Sequence, residues 1–354
     1  MRAERKLGAA LASKHVSRNL AVSMPHLDLA QVAVGDRVQH DLLVFDRAEK
    51  KTSAGDPFVL LTLGNPSGRI DTAPIWSNQL EWADGAECGR VVQAIGNVTT
   101  YAKSGAPRRQ LQLSAPLRVI PTEQADVEAF LPRVATDLTK VWDWLDRTRA
   151  RVESATLRRV LDLFYDDDAF REQLERTPGS TAGHHAKLGG LLMHVYEVTS
   201  IARQTALTMR GASVDLVVAG AMLHDVGKVE AYRVGPGGFT FTPCGLLVGH
   251  VVLGVLMLER RLASLGRDVC SEGQLLELQH LILSHHGKLE YGSPVEPMTA
   301  EAEIVHRADE ASAKAADFLE SLEDPDNFLG GDEFSDKKVW RLGRRLWKRP
   351  HDWE

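Results

Sequence analysis

Short runs of alternating apolar and polar residues fill the chain from Val34 to about Pro121. RVQHDLLVF (37–45), PFVLLTLGN (57–65), RIDTAPIW (69–76), GRVVQAIGNVTTYA (89–102) and RRQLQLSAPLRVI (108–120) are rich in β-branched residues, which suit a pleated surface. Turn signals at Ser53–Pro57, Asn65–Gly68 and Lys103–Pro107 separate them. Five strands in so short a span predict a small closed barrel, because closure leaves no strand edge unpaired. After Pro121 the apolar period becomes that of helices. Glu123–Arg151 reads as a charged connector with a break or helix start at Pro132, and Ala155–Arg176 as one or two further helices. Beyond a turn at Thr177–Gly183, apolar helices run to about Leu322, interrupted at Val234–Cys244 by a Gly/Pro loop or small hairpin.

These elements describe a multi-domain α+β chain. Residues 24–121 are expected to form an OB-fold-like barrel that binds nucleic acid, 122–154 a helical connector and 155–322 an all-α bundle. The leader, residues 1–23, is basic and reads as a disordered arm or an early-start artefact, since Met24 stands where the pattern begins. Residues 323–354 join an acidic turn, DPDNFLGGDE, to KKVWRLGRRLWKRP, which is basic and aromatic together. That last piece reads either as a solvated terminal helix or as a lip that touches substrate phosphates.

Composition narrows the picture only a little. A chain of 354 residues with 44% hydrophobic and 25% charged residues is of ordinary globular type. Its net charge of −6 argues against wholesale coating of nucleic acid but leaves room for local basic patches. Three cysteines, Cys88, Cys244 and Cys270, lie in no CxxC pattern and cannot all pair, so reduced thiols and a cytoplasmic location are expected. No apolar run is long enough to span a membrane, and the leader lacks the apolar core of a secretory signal.

The chemistry concentrates in the helical half. AGAMLHDVGK (219–228) carries an imidazole and a carboxylate, His224 and Asp225, to the end of an apolar run. A buried ionised carboxylate costs several kcal/mol unless something positive compensates it, and a divalent cation bound by imidazole and carboxylate does so. An isolated His-Asp dipeptide is more often a helix-end hydrogen bond than a ligand pair. Here four other apolar helical segments also carry candidates: His194, His250, the pair His285 and His286, and Asp309. The order H…HD…H…HH…D is the pattern of a metal site. In the barrel, Arg47, Lys50, Lys51, Arg69, Lys103, Arg108 and Arg109 cluster near turns, while Phe45, Phe58, Trp76 and Tyr101 are candidates for stacking on bases. The alternative is that the aromatics fill the barrel and the charges are solvated.

The series His194, His224-Asp225, Asp309 resembles the HD-domain superfamily of metal-dependent phosphohydrolases. With HHAKLGGLLMHVYEV (184–198), GHVVLG (249–254) and LSHHGKLEYGSPVEPMTAEAEIVHRADEASAK (283–314), the resemblance sharpens to the YhaM-type 3′→5′ exoribonucleases. It covers most of the chain from Met24 to Trp347, and that family also joins an OB-fold to an HD domain. The barrel departs from the family at LGNPSGRIDTAPIW (63–76), where an aspartate-bearing turn is usual.

The resemblance implies two metals. His194, His224, Asp225 and Asp309 would hold the first, and Asp225, His250, His285 and His286 the second. Two nearby cations can activate water and bind a scissile phosphate. Mn²⁺ is favoured, with Fe²⁺, Co²⁺ or Mg²⁺ as alternatives; a mixed His/carboxylate set suits Mn or Fe better than oxygen-preferring Mg. Besides Asp225, the catalytic residues would be Lys228, either on a phosphate oxygen or paired with Asp225, and His185, as a substrate contact or leaving-group acid. Lys187 is a weaker candidate for substrate contact, alongside Lys50, Lys51, Phe58, Arg108 and Arg109 in the barrel. His184, His280 and His306 read as structural. The implied activity is stepwise release of nucleoside 5′-monophosphates from single-stranded RNA, with single-stranded DNA as a second candidate substrate and no membrane partner. Competing readings are a phosphodiesterase acting on a small or cyclic nucleotide, or a non-catalytic nucleic-acid-binding module with a structural metal. HDxGK and HH are shared with HD-GYP phosphodiesterases, but GKLEYGSP follows His286 where GYP would stand.

Overall fold

The first strand sets the barrel. In the computed structural model, which describes residues 27–102, 107–265 and 269–353, β1 (Arg37–Lys51) is long enough to pair twice. Its first half, Arg37 to Leu43, runs antiparallel to β5 (Val91–Tyr101), and its second half, from Leu43 on, to β2 (Pro57–Asn65). A register shift between Val44 and Asp46 bends the strand between its two partners, as a bulge does. β3 (Gly68–Thr72) then pairs antiparallel with β2 and parallel with β6 (Arg108–Leu113), which returns to β5. The order β1-β2-β3-β6-β5-β1 closes, the OB-type connectivity that the five expected strands require. Two short strands, β4 (Ile75–Trp76) on β2 and β7 (Arg118–Val119) on β5, extend it. Val38, Leu42, Leu61, Leu63, Val92 and Leu111 fill the interior. The leader 1–23 lies outside the described residues.

Residues 122–137 form short 3₁₀ turns rather than a continuous helical connector. α1 (Leu138–Ala150) starts where the Asp137 side chain accepts from the Thr139 amide. Its Val141, Trp142 and Leu145 join the same core as α2 (Ala155–Tyr165), α3 (Asp168–Arg176), α4 (Gly190–Thr208) and α5 (Val214–Leu223). Then come α6 (Lys228–Ala231), the hairpin β8 (Tyr232–Gly235) and β9 (Gly238–Phe241), α7 (Pro243–Leu247), α8 (His250–Leu265), α9 (Glu272–Ser284) and α10 (Ala300–Glu323). Val234–Cys244 is thus a hairpin leading into a short helix. α5 is apolar on every face, with Leu216 to Leu223 all buried, because α4, α2, α9 and α10 surround it.

A small third cluster joins barrel to helices: Leu43, Phe45 and Val91 meet Leu131, Leu188 and Phe239. The hairpin tip presses on the barrel so closely that a Cβ on Gly237 would stand 2.6 Å from the Phe45 carbonyl oxygen. Phe45 is therefore 5% exposed beneath Arg69, whose guanidinium lies 3.9 Å above its ring, and cannot stack on a base. The tail is no helix. Residues 335–347 form a loop closed by bridges Phe334–Trp347 and Val339–Arg344, with Gly343 at φ 64 and with Val339 and Leu346 buried as pins. Among the described residues, no helix is long and apolar enough to cross a membrane.

Candidate metal centre

Helix ends and two helix faces bring the candidate ligands together. His224 and Asp225 directly follow α5, and His285 and His286 directly follow α9, so two helix C-termini converge on one point. Their carbonyl-end partial charges favour a cation and disfavour an uncompensated Asp225. His194 comes from α4 and Asp309 from α10. His250 is the first residue of α8 rather than an interior one, because Gly249 adopts φ 79 just before it. Gly227 permits this approach: a Cβ there would lie 2.0 Å from the His250 carbonyl oxygen and 2.4 Å from the Gly254 nitrogen.

The donor atoms fall into two groups. His194, His224 and Asp309 offer atoms all within 4.8 Å of one another, as do His250, His285 and His286. Asp225, 1% exposed, stands between them. Its Oδ2 lies 3.3 Å from Nε2 of both His194 and His224, while Oδ1 lies 3.4 Å from His250 Nε2 and 3.6 Å from His285 Nε2. Each carboxylate oxygen thus faces one group. Both oxygens, and His285 Nε2, are buried without an aligned hydrogen-bond partner. Lys228 Nζ is 2.6 Å from Oδ2, an ion pair that leaves that oxygen's hydrogen-bonding directions unfilled.

The far sides of the rings fix their tautomers. His224 Nδ1 is 2.7 Å from the Ala221 carbonyl, His285 Nδ1 2.6 Å from that of Ile282, and His286 Nδ1 2.8 Å from that of Tyr291. A carbonyl can only accept, so each Nδ1 carries the proton and each Nε2 turns a lone pair inward. His194 Nδ1 faces Ser312 Oγ at 3.0 Å, and that hydroxyl in turn donates to Glu197 Oε2 at 2.7 Å. Nε2 atoms then crowd together: His194 against His224 and His250 against His286, each pair at 3.3 Å. Two ring nitrogens at that distance need a proton or a metal cation between them. The donor set fits divalent metal on these grounds.

Electrostatics point the same way. Burial alone would raise Asp225, but the Lys228 ammonium and His224 outweigh it and hold the carboxyl well below its usual range. Burial works against a charged His194, yet the Asp225 and Asp309 carboxylates beside its Nε2 lift it to about 9, a proton standing in for a cation. Burial keeps His286 down to about 4, neutral and ready to ligate.

Other expected site residues separate from this centre. His185, 8% exposed at φ 53, has Nε2 3.0 Å from Glu197 Oε2, on the Nδ1 side of His194 and away from the converging Nε2 atoms. That position sets its ring against Glu197. Lys187 is paired with Glu320 at 3.0 Å. Arg109 is 7% exposed, bonded to Asp326 at 2.6 Å and to the Leu29 and Val32 carbonyls, so it is a structural clamp and not an RNA contact. Lys50, Lys51 and Phe58 sit together at the β1–β2 end, Phe58 against the half-exposed Trp76 at 5.2 Å. Arg108 is exposed at the start of β6. His306 holds the His285 carbonyl through Nδ1 at 2.9 Å, His280 accepts from the Met298 amide, and His184 faces Asp317 at 4.0 Å. Glu197 and Ser312 carry no signal in the apolar pattern; each lies three residues beyond a ligand, His194 and Asp309, on the same helical face.

A helical core in which two His/Asp groups meet through one His-Asp pair is the arrangement of an HD-type metal-dependent phosphohydrolase, and the HD-domain family model matches residues 191–314. Over 79% of its length the chain is similar to proteins named 3′-5′ exoribonuclease YhaM. It is 32% identical to that of Bacillus subtilis over 285 residues, covering 86% of the relative. It is 31% identical to the Bacillus pumilus protein over 281 residues and 28% identical to that of Listeria monocytogenes over 292, covering 86% of each. The chain belongs to this YhaM family of HD-domain hydrolases. No solved structure matches it.

Proposed function

We propose that the chain is a divalent-metal-dependent 3′→5′ exonuclease that shortens single-stranded RNA, and single-stranded DNA by the same chemistry, to nucleoside 5′-monophosphates. The carrying observation is Asp225, whose two oxygens each face one three-donor group. His194, His224, Asp225 and Asp309 would hold one cation, and Asp225, His250, His285 and His286 the other, with Mn²⁺ the first choice on the family resemblance. Bound cations supply Lewis acidity at the scissile phosphate. The chain's own residues do the positioning. Backbone carbonyls lock the imidazole tautomers, Ser312 and Glu197 orient His194, and Lys228 keeps Asp225 ionised. Asp309, 15% exposed, and His250, likewise 15%, mark the open side. A centre whose ligands are this deeply buried favours a flexible single-stranded end over a wide duplex. Free thiols at Cys88, Cys244 and Cys270 support a reducing, cytoplasmic setting.

A 5′-labelled RNA incubated with Mn²⁺ should yield a ladder that shortens from the 3′ end and pauses at stem-loops, while a circular RNA of the same sequence survives. Cleavage of the circle would make the enzyme an endonuclease. Hydrolysis of small nucleotides with intact RNA would make it a nucleotide phosphodiesterase.

A further inference from the structure

The tail loop 335–347 faces the barrel across a cleft of about 450 Å³. Six cationic side chains line it against three carboxylates, in a chain whose net charge is −6. Three of the cations are already engaged: Arg109 pairs with Asp326, Arg341 with Asp317, and the Arg69 guanidinium lies on the Phe45 ring. Arg69 and Arg108 from the barrel, and Lys337 and Lys338 from the tail, have no carboxylate partner among the described residues. Unpaired cations that converge from two elements onto one concave surface favour a polyanion. Trp340, on the same wall, is 79% exposed, where an indole of purely structural use would be covered. Backbone hydrogen bonds hold the loop to itself and to the segment before it. Ser335 donates its amide to the Leu346 carbonyl at 2.8 Å, Val339 bridges Arg344, and Asp336 donates its amide to the Asn327 carbonyl at 2.8 Å.

The cleft does not end at the tail. Arg69, Arg109, Asp324, Asp326 and Arg341 also wall a second cleft of about 460 Å³, whose other side is the segment from Thr181 to Lys187. Within that segment, the His184 ring lies 5.6 Å from the ring of His194. The two clefts in series run from the barrel–tail junction to the segment that precedes α4, the helix that carries His194.

We propose that this cleft is the track for the phosphate backbone of a single-stranded nucleic acid, with Arg69, Arg108, Lys337 and Lys338 on phosphates and Trp340 as a stacking platform. A cationic groove with an exposed aromatic is the minimal equipment for sequence-independent binding of a single strand. This moves the expected barrel contacts away from Lys50 and Lys51, and it rests on the exonuclease reading above.

The test compares the full-length enzyme with an Arg108→Gln/Lys337→Gln/Lys338→Gln variant, with Trp340→Ala, and with Lys50→Gln/Lys51→Gln. The KM for 5′-labelled 20-mer RNA and DNA is measured across salt concentrations, with hydrolysis of bis(p-nitrophenyl) phosphate as the small-substrate control. Each phosphate contact to a single strand contributes about 0.7 to the salt slope, so the triple variant should lose about 2 units of slope. Its KM should rise on the order of tenfold or more at low salt, on RNA and DNA alike, with kcat and diester hydrolysis unchanged. Trp340→Ala should raise KM about tenfold with the salt slope intact. An unchanged slope in the triple variant, an effect carried by Lys50 and Lys51 alone, or a loss confined to RNA would overturn the proposal. Wild-type enzyme that hydrolyses the diester but leaves RNA intact would instead overturn the exonuclease reading.

Discussion

Replacing Ser312 by alanine isolates the hydrogen-bond relay behind the first group of ligands. The hydroxyl accepts from His194 Nδ1 at 3.0 Å and donates to Glu197 at 2.7 Å. Glu197 keeps His185 at 3.0 Å after the change, so the uncompensated loss falls on His194, which is fully buried. A buried donor left without a partner costs about 1–3 kcal/mol. Loss of an outer partner of a metal-binding histidine lowers metal affinity or activity about 10- to 100-fold. The expected result is a 10- to 100-fold higher Mn²⁺ concentration for half-maximal diester hydrolysis, with kcat largely recovered at saturating metal. Ser312→Thr keeps the hydroxyl and should stay within a few-fold of wild type. Calorimetric Mn²⁺ titration would read the affinity directly. An unchanged Mn²⁺ affinity in Ser312→Ala would refute the relay.

Three further outcomes are expected. Gly227→Ala places a Cβ 2.0 Å from the His250 carbonyl oxygen, so α8 must retreat; stability should fall by about 1–3 kcal/mol or more and Mn²⁺ binding by the His250 group should weaken, unless titration shows both ions bound as before. Arg109→Gln removes the clamp between barrel and Asp326; with that carboxylate 35% exposed, about 2 kcal/mol should go, read as a lower urea midpoint, and an equal midpoint would refute the clamp. In metal-stripped protein, burial holds His286 at about 4 against 6.5 in the unfolded chain, so folding excludes a proton that the unfolded state takes up. Stability should therefore fall as pH drops from 6.5 toward 4, and the stability gap between wild type and His286→Gln should narrow over that window; a constant gap would contradict it.

Much of this was legible in the chain because the signals were local. Alternation gave the strands at Arg37–Lys51, Pro57–Asn65 and Val91–Tyr101, and polar residues stranded in apolar helical runs marked His194, Asp225 and Asp309. What stayed hidden depends on partners distant in sequence. Arg108 and Arg109 are adjacent and alike, but strand alternation turns one outward and the other toward Asp326, 217 residues away. Phe45 is covered by a hairpin that no local pattern near it announces. His185 sits beside the ligand segment in sequence, yet its ring turns to Glu197 behind His194. The tail's helical alternative fails because Gly343 takes a left-handed turn and Val339 and Leu346 bury themselves on opposite sides of it.

The central claim is that Asp225 joins two metal sites. Anomalous diffraction at the manganese edge, from crystals grown with Mn²⁺, tests it most directly. Two peaks are expected, one among His194, His224 and Asp309 and one among His250, His285 and His286, with Asp225 contributing one oxygen to each. A single peak that leaves one oxygen of Asp225 unengaged, or no peak in crystals of active enzyme, would contradict it.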